Sequence, residues 1–247
     1  MALRCRKTLG VLSRILTQIA ARLPSSVKYR LPAVRRMYLR AARAGEPLQT
    51  ITTIHQLSFN WTIDELTHQE TLRGTYEKYM QDAFARFAKA GGVALDVGAH
   101  NGFHSLLLAA HGMCVIAFEP NPANRTSIER QVALNKNLNV ELLPFALSNE
   151  SKELLLSERG SESQIAEAGI PVVALKLDSL NLKPSLIKID VEGHEAAALE
   201  GGLETLKRCR PVILADFDSH NTIPSLRRIL EPLGYTVIEG LPITALP

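Results

Sequence analysis

LDVGAHNGFH, residues Leu95 to His104, reads as the end of a strand, a tight glycine turn and the start of a helix. Val93, Ala94, Leu95 and Val97 form an apolar run of strand length, which Asp96 and Gly98 bring to a close before helix-compatible sequence resumes near His104. A second apolar run, Cys114 to Phe118, follows with Glu119 at its end. Strand, turn, helix and strand predict the first half of an open α/β sheet, where small cofactors bind beyond the carboxyl ends of the strands.

Charge narrows the cofactor. A dinucleotide site uses a G-x-G-x-x-G turn to bring pyrophosphate onto backbone amides, whereas the glycines here are Gly98 and Gly102 with Asp96 beside the turn. A carboxylate there repels pyrophosphate and suits a cation such as the amino group or sulfonium of S-adenosylmethionine. Glu119 can accept two ribose hydroxyls, a role shared with nicotinamide sites. The plain alternative is that Gly98 and Gly102 serve close helix packing alone.

The chain has 247 residues, 46% of them hydrophobic, enough for one sizeable core and an N-terminal extension. Residues 1–45 carry eleven Arg or Lys and no acid, so the other 202 residues have a formal net charge of −8. Within that extension, residues 3–23 read as an amphipathic basic helix interrupted by Gly10 and closed by Pro24. Charge breaks its apolar run too often for a membrane span. Peripheral membrane contact, a partner-binding helix, an organellar targeting peptide and a helix packed on its own domain all stay open. Nucleic-acid binding ranks low, because no zinc-finger spacing or aromatic RNA-binding motif accompanies the basic run. Cys5, Cys114 and Cys209 are scattered and odd in number, which argues for reduced thiols, a cytoplasmic location and no zinc site.

Thr50 to Trp61 alternates as one or two short strands, and Asp64 to Ala90 reads as helical apart from Gly74, delivering Tyr76 and Glu77 near the mouth of the cofactor site. The expected organisation is therefore an extension over 1–45, short strands and a covering helix over 46–90, and the cofactor-binding domain over 91–247. A helix from Pro122 and a third strand, Val140 to Phe145, come next; the loop from Ala146 to Asn149 reaches over the adenine in sheets of this type. Two short strands, Lys152 to Leu156 and Ile170 to Lys176, flank a polar insert, Ser157 to Gly169, where substrate contacts or a lid are expected. Leu186 to Ile189 is a fourth strand, followed by one helix from His194 to Cys209. A fifth strand, Val212 to Ala215, ends in Asp216, Asp218 and His220; a helix, Ile223 to Leu233, and a sixth strand, Tyr235 to Ile238, complete the pattern.

Asp190, Glu192, His194 and Glu195 crowd the junction after the fourth strand. Methyl transfer to oxygen needs the acceptor oxygen in line and its proton taken up, so a positioned base is required for a hydroxyl. Asp190 and His194 are candidates, with Glu192 or Asp216 able to orient the histidine, whose ordinary pKa suits neutral pH. Alternatively, Asp190, Asp216 and a neighbouring carboxylate could hold Mg²⁺ and lower the hydroxyl pKa. The plainer roles are a helix cap for Asp190, a cofactor contact for Glu192 and first-turn helical positions for His194 and Glu195. His100, His104 and His111 read as turn or helix surface positions, of which only His100 is placed to touch a ligand.

The sequence resembles the FkbM family of S-adenosylmethionine-dependent methyltransferases. The matching segments are GTYE (Gly74 to Glu77), LDVGAHNGFHS (Leu95 to Ser105), FEPNP (Phe118 to Pro122), Leu134, Asn135 and Asn139, FALSNE (Phe145 to Glu150), LDSL (Leu177 to Leu180) and IKIDVEGHEAAALEG (Ile187 to Gly201). The resemblance implies an α/β class I methyltransferase fold, a Rossmann-like open sheet with helices on both faces. S-adenosylmethionine is the implied donor, usually for O-methylation in glycan or secondary-metabolite biosynthesis. It further implies that Asp96, Gly98 and Gly102 contact the methionine side of the cofactor, that Glu119 takes the ribose, and that Asp190 and Glu192 form the acidic pair beside the transfer point. Tyr76, Glu77, His100 and Ala146 complete the expected cofactor set. His100 replaces the asparagine common in the family, and Asp216 stands where a glutamate is frequent. Only Leu241 to Leu246 remain for a return strand, so the sheet edge is expected to be shortened or completed by a partner chain.

The leading expectation is thus O-methylation of a hydroxyl on a sugar, glycolipid or related metabolite. The basic extension would favour an anionic membrane or a phosphate-bearing acceptor. N-methylation, carboxyl methylation and a non-catalytic cofactor-binding adaptor are the alternatives.

Overall fold

The computed structural model describes residues 48–63, 70–71, 74–157, 164–216 and 222–247. The expected basic helix over 3–23, Cys5, Asp218 and His220 lie outside the described residues. Two compact units are distinguished, Met1–Glu77 and Lys78–Pro247.

The described part of the first unit contains a hairpin of β1 (Leu48–Ile54) and β2 (Leu57–Ile63), paired antiparallel with Ile54 opposite Leu57. His55 and Gln56 make the turn at φ 48° and 68°, the left-handed pair that a two-residue hairpin loop needs. Thr52 and Ile54 are buried between exposed Ile51 and Thr53, the alternation of a strand covered on one face. Tyr76 and Glu77 end this unit.

In the second unit a seven-stranded sheet runs in the order β12–β13–β11–β10–β3–β4–β5. Its parallel strands are β3 (Val93–Val97), β4 (Cys114–Phe118), β5 (Val140–Leu143), β10 (Leu186–Ile189) and β11 (Val212–Ala215). The edge hairpin, β12 (Thr236–Ile238) and β13 (Ile243–Leu246), is antiparallel, with β13 beside β11. The return strand expected from Leu241 to Leu246 is therefore present. The edge strands are short, and both come from this chain.

Alternation in the central strands separates two faces. Leu95, Val97, Ile187, Ile189, Ile213 and Ala215 join a core with Ala198, Leu199 and Leu206 of α4 (Glu195–Glu200) and α5 (Leu203–Cys209), and with Leu226, Ile229 and Leu230 of α6 (Thr222–Leu230). Leu95, Ile187 and Ile189 are at most 1% exposed, so truncating one to alanine costs about 2–5 kcal/mol. On the other face Ala117 packs with Ile128 of α3 (Pro122–Leu134), and Ser105 of α2 (Phe103–Ala110) bonds Asp96. Phe84 of α1 (Lys78–Phe87) meets His104 of α2 edge-on at 5.4 Å. This second face carries the polar side chains.

The helix expected as one piece from His194 to Cys209 is broken at Gly201 and Gly202. A Cβ on Gly201 would lie 2.0 Å from the Ser148 carbonyl oxygen, and one on Gly202 would lie 2.8 Å from Leu177. The close approach of Ser148 and Leu177 admits only glycine at the two positions where the helix breaks. A second, four-stranded sheet, β6–β9–β7–β8, comprises β6 (Ala146–Leu147), β7 (Lys152–Leu156), β8 (Ile165–Ala166) and β9 (Ile170–Leu175).

Candidate active site

The turn after β3 is shaped by two glycines. Gly98 has φ +81° and a Cβ there would stand 1.9 Å from the Asp190 carbonyl oxygen, while at Gly102, φ +86°, it would press on Ile128 of α3 at 3.3 Å. Gly102 thus serves helix packing as well as the turn, and Gly98 lets the ends of β3 and β10 close up.

Asp96 is fully buried in β3 and takes a 2.5 Å hydrogen bond from Ser105 Oγ on Oδ2. Its register partner across the parallel pair is Lys188, 2% exposed, whose Nζ lies 3.3 Å from Asp96 Oδ1, 3.3 Å from Asp190 Oδ2 and 2.9 Å from the Gly98 carbonyl oxygen it donates to. Asp190 is 29% exposed at the end of β10. Burying an ammonium is costly unless it is paired, and here two carboxylates and a carbonyl share it. Sequence reading passed over Lys188; the signal was a lysine inside the apolar strand Leu-Ile-Lys-Ile.

Glu119, 5% exposed, accepts the backbone N–H of His100 on Oε2 and that of Asn121 on Oε1, each at 2.8 Å. Burial pushes its carboxyl up to about 7, against the pull of those two amides, Asn124 and Lys188. His100 makes its turn contact through the backbone, at φ 51°. His104, expected on a helix surface, is 5% exposed instead. Burial first, and Lys188 second, lower its pKa to about 4, so it is neutral at physiological pH.

Asp190 and Asp216 end adjacent parallel strands, and a carboxylate oxygen of one lies within 4.8 Å of an oxygen of the other. Tyr79 of α1 donates its hydroxyl to Asp216 at 3.0 Å to each carboxylate oxygen. Tyr79 was not singled out from sequence, where nothing links positions 137 residues apart.

His194 departs from expectation. Its Nε2 lies 3.0 Å from Ser148 Oγ, and the charged groups acting on it are Glu195 and Lys152. Burial lowers its pKa. Ser148, rather than Glu192 or Asp216, holds the ring. Glu195 accepts the backbone N–H groups of Val191 and Gly193 at 3.2 and 3.1 Å, bracing the turn in which Glu192 has φ 53°. Ala146 is buried in β6, and Tyr76 and Glu77 immediately precede α1.

A sheet with one antiparallel edge hairpin, a glycine turn flanked by buried acids and an acidic strand end opposite it define a class I methyltransferase. The methyltransferase FkbM domain matches residues 96–237, and the chain belongs to the FkbM methyltransferase family, which is S-adenosylmethionine-dependent. It is 25% identical over 175 residues to the hexuronic acid methyltransferase AglP of Haloferax volcanii, a match covering 66% of this chain and 68% of that protein. Its fold is similar to that of methyltransferase FkbM from Methylobacillus flagellatus, with TM-score 0.50 and 14% identity over 73% of this chain. The chain spans 55% of that protein.

The residues fit the donor. Asp96 Oδ1 accepts no hydrogen bond although Lys188 is near, so it keeps acceptor capacity beside the turn. Glu119 accepts an amide on each oxygen and a third hydrogen bond from Asn124, which leaves one lone pair for a ribose hydroxyl.

Proposed function

We propose that the enzyme methylates a hydroxyl of a sugar, glycolipid or related metabolite, with Asp190 as the base. The observation that carries this reading is the pair of carboxylates, Asp190 and Asp216, within 4.8 Å of each other at the strand ends. Bound S-adenosylmethionine supplies an electrophilic methyl group, whose bond to sulfur breaks with its electron pair left on sulfur as the acceptor oxygen's pair forms the new C–O bond. Asp190 takes the hydroxyl proton. Asp216, held by Tyr79, orients the acceptor by accepting from a second hydroxyl, a geometry suited to vicinal sugar hydroxyls. Asp96, Gly98, Gly102, His100, Glu119 and Ala146 frame the cofactor, with Glu192 completing the wall.

Two carboxylates facing the acceptor repel a free carboxylate, which favours a hydroxyl over carboxyl methylation. Proton transfer is preferred to a magnesium mechanism because Asp190 already faces an ammonium and Asp216 a phenol. The sugar acceptor draws weaker support from the name of the Haloferax volcanii relative. We further propose that residues 1–45, with eleven basic side chains and no acid, bring the enzyme to anionic membranes. No helix among the described residues is long and apolar enough to cross one.

Incubation with S-adenosylmethionine labelled in its methyl group and a panel of neutral and uronic sugars tests the reading. A base-stable methyl ether is expected. A base-labile methyl ester as the product would overturn hydroxyl methylation, and absence of cofactor binding by the folded chain would overturn the enzyme reading.

A further inference from the structure

The side chain that the proposed chemistry leaves unused is Lys188. It occupies the middle of a central strand, between Ile187 and Ile189, where an aliphatic residue would pack at no electrostatic cost. A lysine paired only with its register partner Asp96 would be a buried structural ion pair. Its Nζ is instead equally far, 3.3 Å, from Asp96 and Asp190, and it also donates to the Gly98 carbonyl at 2.9 Å. One ammonium therefore joins the glycine turn, the carboxylate beside it and the carboxylate assigned as base.

We infer that Lys188 is a positioning residue that sets the charge met by the methyl donor, holding Asp96 and Asp190 together at one net negative charge. The inference rests on the methyl-transfer reading above. Its physical content is differential stabilisation. A sulfonium loses its positive charge as the methyl group leaves, so surplus negative charge beside it favours the starting complex over the transition state and slows transfer.

With Lys188 present, two carboxylates, one ammonium and one cationic donor sum to zero. After transfer the donor is a neutral thioether and the acceptor's proton is on Asp190, so the sum is again zero. Without the ammonium both states carry an uncompensated negative charge in a buried site. Lys188 also keeps Asp190 from swinging toward solvent, since its carboxylate is anchored through Oδ2.

Three variants of the full chain, Lys188→Gln, Asp190→Asn and the two combined, test this by calorimetric titration with S-adenosylmethionine and with S-adenosylhomocysteine. The readout is the preference for the cationic donor over the neutral product. Lys188→Gln is expected to raise that preference about fivefold or more, and Asp190→Asn to lower it by a similar factor. The double variant, which restores one net negative charge, returns to within about twofold of the parent. In turnover, Lys188→Gln lowers kcat about tenfold while KM for the donor falls, the split expected when ground-state binding is strengthened.

An unchanged preference in folded Lys188→Gln would overturn the inference. Should that variant fail to fold by circular dichroism, the double variant, which removes the buried charge together with a partner, decides. A preference more than about fivefold from the parent's in either direction overturns the inference there. Failure of the parent chain to bind S-adenosylmethionine would fall on the methyl-transfer reading instead.

Discussion

Tyr79 donates its hydroxyl to both carboxylate oxygens of Asp216 at 3.0 Å, tying helix α1 to the end of β11 beside Asp190. Tyr79→Phe is expected to lower turnover about tenfold and stability by about 1–2 kcal/mol, with cofactor affinity within about twofold. Steady-state kinetics and cofactor titration check this. An equal loss of cofactor binding would move Asp216 from the acceptor side to the cofactor side.

Asp190 and His194 are separable as bases. Asp190→Asn should reduce kcat by about 100-fold or more, the range for losing a general base, and His194→Gln by less than about fivefold. The reverse order in single-turnover rates would restore His194 to the proton transfer. Its contact with Ser148 would then have to break on substrate binding.

The glycines differ in what they tolerate. Gly98→Ala sets a Cβ 1.9 Å from the Asp190 carbonyl oxygen at φ +81°, and should cost about 3 kcal/mol or more together with cofactor binding. Gly193, φ +94° with nothing within 4 Å of its would-be Cβ, should cost about 1–2 kcal/mol on the same change. Urea unfolding of both variants measures the contrast, and equal losses would mean that backbone conformation alone sets the requirement.

Glu119 and His104 titrate against each other. Burial holds Glu119 up from 4.5 to about 7, so its contribution to stability is full below 4.5 and fades as pH rises through about 7. His104 is lowered from 6.5 to about 4, so its contribution is full above 6.5 and is lost as pH falls through about 4. Between 4.5 and 6.5 the two slopes oppose and largely cancel. Relative to the parent, His104→Met should therefore gain about 3 kcal/mol in going from neutral pH to pH 4, read from urea unfolding across that range. A difference that does not vary with pH would contradict the buried neutral imidazole.

Deleting residues 2–45 should lower co-sedimentation with anionic vesicles while leaving the unfolding midpoint of the rest unchanged, since the eleven basic side chains go with that segment. Equal co-sedimentation by the shortened and full chains would remove the membrane proposal.

Much of the fold was legible because its signals are local. Apolar runs closed by Asp96, Glu119, Asp190 and Asp216 mark the carboxyl ends of four parallel strands, and Gly98 marks a turn that no side chain can enter. The break at Gly201 was not legible, because the carbonyl of Ser148 that admits only glycine there is brought alongside by the fold. His104 was misread for a similar reason. The site face of the sheet is covered by α2, so a histidine at the helix start is enclosed between Phe84, Phe103 and the Lys188 cluster.

By itself the sequence determined the strand-turn-helix at Leu95 to His104, the acids at the strand ends and the kind of cofactor they suit, because period, turn chemistry and charge act over a few residues. Only the tertiary structure decided which groups act together. Parallel register set Lys188 against Asp96, neighbouring strand ends brought Asp190 to Asp216, and Tyr79 arrived from 137 residues away. Such pairings depend on strand order and on which face each strand buries, properties of the assembled sheet that no single segment carries.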